Sequence, residues 1–295
     1  AHREQSPSGP MTRQTSSRMC LGGVRRSLAV IALAALCVGW TPETVEYVAW
    51  SAVDFFPGDL QRQVRRHEQR YNAGIKRGLE APPSWRAASP GNLDAALSEQ
   101  VERCSRALNQ PVPLEDLVEE IGVLAVRVMD ASDPLAVSHD DPREPSYSAA
   151  YQAYVDAVRQ RVRLVYYGQD HDLIYSRQVD ASVKAALDRS RNLYPHVGTE
   201  FFRTGTLRDW RSFDDRSVAF GVAAISLSRG LTDLANFVSF VWRSGGGQVP
   251  TPRPTPLGHV GPTVTLTLDG GFTDREMRDR GAPAMPKGSL TLPPP

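Results

Sequence analysis

The chain has 295 residues, of which 41% are hydrophobic and 23% charged, and its formal net charge at pH 7 is +1. A charge this close to zero excludes the strong positive field with which proteins gather polyphosphate partners, so there is no strong nucleic-acid signature. The sequence contains no Walker loop, G-x-S-x-G, H-E-x-x-H or paired C-x-x-C motif. The common signatures of nucleotide, serine-hydrolase and metalloprotease sites are therefore absent.

Residues 1–39 have the pattern of an N-terminal extension followed by a secretory signal peptide. The basic pair Arg25 and Arg26 precedes an apolar run at Leu28–Val38, and a small residue closes the run. The run is shorter than the roughly 20 apolar residues of a membrane span, and it has the order of a signal peptide. We therefore predict export, cleavage before Trp40 and no transmembrane helix in the mature chain. Residues 1–39 contain five Arg and one Glu, so 29 basic and 32 acidic residues would remain, a net charge of −3.

Between residues 40 and 243 the apolar residues recur at helical spacing, which predicts one all-α domain with a single core. A first helix begins after Thr41, a good N-cap residue followed by Pro. The spacing predicts further helices at 59–79, 93–108, 114–129, 147–166, 173–193 and 217–241. The helix at 114–129 is the most apolar of the central ones, so we expect it to be the most buried.

Gly and Pro dominate from residue 244 onward, which predicts that 244–295 is a flexible tail outside the domain. Within this tail, Thr263–Leu268 alternates between polar and apolar residues as a short strand does. A single strand has no obvious pairing partner in a helical protein.

The most informative motif spans the central helix and the loop after it. It reads Ile121-Gly-Val-Leu-Ala-Val-Arg-Val-Met-Asp130-Ala-Ser-Asp-Pro-Leu-Ala136. It resembles the pattern L-G-x-x-x-H-Y-x-x-D-x-x-x-P-[LM]-H of the zinc-dependent phospholipase C and S1/P1 nuclease superfamily. In that pattern the first His and the Asp lie four residues apart and point from one helix face into a metal cluster. Here Asp130 is kept, whereas Val126 and Ala136 stand at the two His positions.

Two further segments are similar to the same family, in the same order along the chain. Trp40 stands where the family's mature chain begins with a Trp whose amine and carbonyl bind a metal, and Val45 stands at a His position. In a later helix, Ser148 and Gln152 occupy a His and a Glu position. The resemblance covers about residues 40–170 and implies a single multi-helix phospholipase C/P1 nuclease-like domain.

Most of the metal ligands that the resemblance implies are therefore replaced. A zinc cluster needs imidazoles and carboxylates, and among the positions that can be placed only Trp40 and Asp130 remain as ligands. The degenerate ligand positions are Val45, Val126, Ala136, Ser148 and Gln152. Our first hypothesis is an exported, non-catalytic homologue that has no cofactor and acts as a binding or structural module for an unknown partner.

Two alternatives stay open. The loop after the central helix contains Asp133, His139, Asp140 and Asp141, which together with Asp130 offer ligands for a relocated zinc, calcium or magnesium ion. The protein would then be an active metal-dependent phosphodiester hydrolase acting on phospholipid or nucleic acid. The same residue types are common in turns and helix caps, and Asp130 could instead pair with an Arg. The other alternative is a helical bundle unrelated to the family.

Overall fold

Residues 39–81 and 92–249 are described by the computed structural model of the chain. Within these residues no strand occurs and every regular element is helical, which confirms the all-α prediction. The helices are α1 (Pro42–Val53), α2 (Gly58–Arg66), α3 (Glu68–Leu79), α4 (Asn92–Leu108), α5 (Leu114–Ser132), α6 (Pro134–Val137), α7 (Glu144–Val158), α8 (His171–Ser176), α9 (Val179–Phe201) and α10 (Val218–Ser244), with a 3-10 turn at Trp210–Ser212.

The first helix begins as its sequence predicts. The hydroxyl of Thr41 accepts a hydrogen bond from the backbone N–H of Thr44 at 3.3 Å, and Pro42 occupies the first helical position. The buried face of α1 carries a stripe at helical spacing that includes Val45, Val48, Ala49, Ala52 and Val53. The stripe anchors α1 in the core.

The predicted helix at 59–79 is wrong in one respect, because it is two helices. His67 leaves the helical conformation, with φ −109° and ψ 39°, and separates α2 from α3. No Pro or Gly lies at 66–68, so the sequence carries no local signal for the break. The change of direction lets α3 lie along α5.

Among the helices with long apolar faces, the central helix α5 has the largest share of buried residues. It ends at Ser132, three residues past its predicted end at Met129. It crosses α3 with the two backbones in contact. A Cβ added to Gly122 would lie 2.3 Å from the carbonyl oxygen of Tyr71, and one added to Gly74 would lie 1.9 Å from that of Glu119. Only glycine fits at these two positions, so the crossing depends on residues without side chains.

The predicted helix at 147–166 is also too long, because α7 ends at Val158. From Val165 to Asp170 the chain instead runs along α10 and donates backbone N–H groups to three side chains of that helix. Val165 donates to Ser228 at 3.1 Å, Tyr167 donates to Thr232 at 3.1 Å and Asp170 donates to Asn236 at 3.0 Å. The three acceptors stand four residues apart, on one face of α10.

The C-terminal helices α8, α9 and α10 differ from the predicted helices in where they begin and end, and α9 and α10 extend further than predicted. The predicted helix at 173–193 is divided at Arg177, which adopts a left-handed conformation with φ 59°. The second part, α9, continues to Phe201, and α10 ends at Ser244, one residue past the predicted domain limit. Three sequence predictions lie wholly or mostly outside the described residues: the signal-peptide run at Leu28–Val38, the flexible tail from residue 250 onward and the strand at Thr263–Leu268 within that tail.

Among the described helices, α10 alone is long and apolar enough to cross a membrane, with a mean hydropathy of 1.3 over its most apolar part. Of that part, 61% is buried inside the fold. The core helix of a water-soluble domain has the same composition, so the absence of a transmembrane helix from the mature chain stays a prediction.

Candidate functional site

Trp40 lies buried between the end of α5 and the helix α7. Its indole Nε1 donates a hydrogen bond to the Oγ of Ser132 at 3.2 Å. Its ring centroid lies 6.0 Å from that of Tyr151, with the two planes inclined at 45°. The three segments that carry the family resemblance, around residues 40, 130 and 150, therefore meet at this one place in the core.

The two acidic residues at the end of α5 are both buried, Asp130 with 1% and Asp133 with none of its surface exposed. One carboxylate oxygen of Asp133 accepts a hydrogen bond from the backbone N–H of Leu135 at 2.9 Å and so caps the short helix α6. Burial, and secondly the negative charge of Asp133, raise the pKa of the Tyr151 hydroxyl well above its ordinary value. Tyr151 is therefore a neutral phenol at physiological pH, and Asp133 has a structural role that turn chemistry explains.

The degenerate ligand positions are mostly occupied by buried side chains. Val45 and Val126 have no exposed surface, Ala136 has 1% and Gln152 has 8%, whereas Ser148 is partly exposed. The side chain of Val126 packs against α3 at Gly78, where a Cβ would lie 2.7 Å from a methyl carbon of Val126. Val126 therefore packs tightly in the interface between α5 and α3.

Other elements close the space around Ser132. On α10, a Cβ added to Gly230 would lie 2.7 Å from the sulfur of Met129 and 3.0 Å from the Oγ of Ser132. On α9, the hydroxyl of Ser190 donates to the carbonyl oxygen of Ala131 at 2.7 Å. The region beside Trp40 is thus packed by protein atoms from α9 and α10.

The loop residues proposed as relocated metal ligands have separate partners. His139 Nδ1 and Glu144 Oε1 lie 3.0 Å apart, and Asp140 accepts a hydrogen bond from the hydroxyl of Ser138 at 2.8 Å. Within the residues that the structure describes, no group of three or more His, Cys, Asp and Glu side chains is arranged to hold a metal ion. His139 and Asp140 lie at the exposed end of this loop, whereas Asp130 and Asp133 lie in the core.

Asp141 belongs to a hydrogen-bond network that sequence reasoning missed. Arg143 donates two hydrogen bonds of 2.9 Å to its carboxylate, and this bonding lowers the pKa of Asp141. The Tyr194 hydroxyl on α9 donates to Glu144 at 2.7 Å and accepts from the backbone N–H of Asp141 at 2.9 Å. Burial and the bond to Glu144 raise the pKa of Tyr194 to about 12. The network fixes the loop to α9. Its partners Glu144 and Tyr194 are 50 residues apart in sequence, so no local sequence pattern predicts their contact.

Comparison with known proteins adds no name to this site. No protein-family model matches the chain, and no curated protein matches its sequence.

Proposed function

We propose that this protein is an exported, non-catalytic relative of the zinc-dependent phospholipases C and S1/P1 nucleases, and that it acts as a binding or structural module. The observation that supports the proposal best is the packing around Trp40. Its indole is hydrogen-bonded to Ser132 and lies beside the tilted ring of Tyr151, in the region where the family resemblance implies a metal cluster.

The residues at the implied ligand positions do not fit zinc. Valine and alanine at positions 45, 126 and 136 offer no lone pair, and the neutral side chains of Ser148 and Gln152 are weak ligands for this ion. A catalytic zinc ion usually has three protein ligands and one open position for water. Asp130 is the one side chain left at an implied position that could bind zinc strongly, so no hydrolytic step through zinc follows from this site.

The meeting of three segments at Trp40 favours this proposal over an unrelated helical bundle. The resemblance implies that Trp40, the end of the central helix and the helix around residue 150 lie beside one another. Ser132 lies 92 residues from Trp40 in sequence, and their side chains are hydrogen-bonded. Of the replaced ligand positions, Val126 packs against Gly78 of α3 and Ser148 is partly exposed, so a helical bundle unrelated to the family stays the alternative.

The alternative of an active hydrolase with relocated ligands receives less support. Its ligands would have to include both buried and exposed residues of the 130–141 stretch, and these have separate hydrogen-bond partners. Moving His139 to the carboxylates of α5 would require the loop to leave Glu144 and Tyr194.

The proposal is tested by measuring the metal content of the exported protein, purified without chelator, by elemental mass spectrometry. We expect less than about a tenth of an equivalent of zinc, manganese or calcium, because too few ligands remain to hold an ion tightly. One or more tightly held equivalents would overturn the non-catalytic proposal. In that case Asp130→Asn should release the metal, and Asp172→Asn, at an exposed residue of α8 outside every implied ligand set, would be the matched control. The mass of the exported protein separately tests export and cleavage before Trp40.

A further inference from the structure

A short segment at residues 163–167, between α7 and α8 in sequence, runs along α10 in an extended conformation. The N–H groups of Val165 and Tyr167 donate to Ser228 and Thr232, and the carbonyl oxygen of Val165 accepts from the Thr232 hydroxyl. The two acceptors lie one helical turn apart, about 6 Å along α10, which matches the rise of about 6.6 Å over two residues of a strand. The backbone groups of the residues between them therefore point to the opposite side, away from α10.

The backbone groups on that opposite side are unpaired. The N–H and carbonyl groups of Leu164 and Tyr166 make no hydrogen bond to any residue that the structure describes. Buried backbone groups are almost always paired, so these groups face water. The side chains of Arg163, Val165 and Tyr167 beside them are exposed. The segment thus has one edge bonded to α10 and one open edge, as the outermost strand of a sheet has.

The open edge is short, because the residues at both of its ends are already hydrogen-bonded. Before it, the N–H of Val162 donates to the carbonyl oxygen of Val158 at 3.2 Å. After it, Gly168 leaves the extended conformation with φ 104°, and its carbonyl oxygen accepts from a side-chain amide of α10 at 3.1 Å. On this side of the segment, Leu164 and Tyr166 are therefore the two residues that can pair with another strand.

We propose that the open edges of two copies of this chain pair as antiparallel strands and join the copies in a symmetric dimer. The two free residues fix the register, because Leu164 of one copy lies opposite Tyr166 of the other. Any other register would pair one of them with Val162 or Gly168, whose groups are already bonded. In this register each copy donates two backbone hydrogen bonds and accepts two. The two-fold axis passes beside Val165, so this residue faces its own counterpart.

The side chains that this register brings together are complementary. Val165, which is 48% exposed, lies against the partner's Val165. Arg163 has no ion-pair partner among the described residues, and it lies beside the partner's Tyr167. Arg229 lies over one face of that ring, 4.0 Å from its centroid, and 45% of Tyr167 is exposed. The pairing therefore buries apolar surface and sets an arginine beside an aromatic ring, with no like charges directly opposite.

The dimer is weak, because strands this short bury less than the roughly 1,200 Å² of a standard protein interface. Backbone hydrogen bonds supply most of the attraction, and the alternate side chains set the register, as in other complexes formed by adding a strand to an open edge. The pairing uses neither Trp40 nor the 130–141 loop. It therefore holds whether or not the proposed loss of zinc chemistry does.

The test is sedimentation equilibrium of the full chain over a range of concentrations. We expect a reversible monomer–dimer equilibrium with a Kd on the order of 100 µM. Val165→Lys should weaken it about tenfold or more, because two like charges then face each other across the two-fold axis. Val165→Glu alone should weaken it for the same reason. An equimolar mixture of the two variants should restore the dimer, since opposite charges then face each other.

The matched control is Leu207→Lys. Leu207 is also 48% exposed but lies outside the segment, so each variant adds one charge at an exposed apolar residue and both should fold. Equal weakening by this control, no recovery in the mixture, or a chain that stays monomeric up to about 1 mM would overturn the proposal.

Hydrogen exchange gives a second measurement. The amides of Leu164 and Tyr166 should exchange more slowly as the protein concentration rises, because pairing with a second copy protects them. Protection that does not depend on concentration would mean that another segment of the same chain covers the edge, and would also overturn the proposal.

Discussion

Gly74 of α3 and Gly122 of α5 lie in direct backbone contact: a Cβ added to Gly122 would sit 2.9 Å from the Cα of Gly74. This contact sets the distance between the two helices. The acidic face of α5 then lies within reach of the basic residues of α3. Glu119 accepts hydrogen bonds from Arg70 at 3.0 Å and from Arg77 at 2.8 Å. Exposed pairs of this kind add little stability, so the backbone contact is the feature to test.

Gly122→Ala should destabilise the protein by about 2–3 kcal/mol, because the new methyl group would overlap the Tyr71 carbonyl and force the helices apart. Urea unfolding followed by circular dichroism measures the change. The control is Gly221→Ala on α10, where nothing lies within 4 Å of an added Cβ. That variant should gain about 0.5–1 kcal/mol, since alanine is the better helix former. A Gly122 variant as stable as the wild type would contradict the close crossing.

The hydrogen bond between Trp40 and Ser132 should be visible as a coupling energy. We expect a double-mutant cycle of Trp40→Phe and Ser132→Ala to give about 1 kcal/mol, the usual net value of a buried hydrogen bond. The same cycle on the exposed Trp50–Asn72 pair, whose Nε1–Oδ1 distance is 3.0 Å, should give less. Additive effects at Trp40 and Ser132 would mean that the bond contributes nothing to stability.

Three side chains of α10 accept hydrogen bonds from the backbone N–H groups of residues 165–170. These bonds should hold that segment in its ordered conformation. Ser228→Ala leaves the N–H of Val165 without its acceptor and should cost about 1–2 kcal/mol. We expect faster hydrogen exchange at the Val165 amide, measured by NMR. Ser226→Ala is the matched control, because among the described residues the buried Ser226 hydroxyl has no hydrogen-bond partner. Removing that hydroxyl should leave stability unchanged or raise it. Equal losses in both variants would argue against the bond.

Tyr194 should make stability depend on pH in the alkaline range. Its folded-state pKa of about 12 lies above the ordinary value of 10.0, so the folded protein holds this proton more tightly than the unfolded chain does. The resulting stabilisation is complete below pH 10 and is lost as pH rises towards 12. Urea unfolding at several pH values measures the slope, which Tyr194→Phe should reduce. A phenol that titrates near pH 10 in the folded protein, followed by its ultraviolet absorbance, would contradict this prediction.

The helices could be predicted wherever local spacing and tertiary packing agree. The apolar stripe of α1 and the buried face of α5 were both read from periodicity, and both lie in the core. The same periodicity continues past Val158 through Val162 and Tyr166, and there it misleads. Side chains of α10 bind the backbone of this segment, and such distant acceptors leave no trace in the local sequence.

The candidate site was predictable only in part, for a similar reason. The resemblance to a family motif predicts Trp40 and Asp130 as remaining metal ligands, because a motif fixes positions along a chain, and their role as ligands stays a prediction. The partners of Trp40 and the bond from Tyr194 to Glu144 join residues at least 50 positions apart. Which side chains meet over such distances depends on how whole helices pack, and no short motif records it.

The bonds between residues 165–170 and α10 also bear on how a newly made chain reaches its fold. They join groups 63 to 68 positions apart, so the segment cannot dock until α10 has left the ribosome. Closing so long a loop is costly before other contacts hold its ends together. During synthesis, until α10 is available, the backbone N–H groups of this Val- and Tyr-containing segment after α7 therefore lack their hydrogen-bond acceptors on α10. Chaperones that recognise extended apolar segments should bind there first, and proteases should cut there in nascent chains truncated before α10.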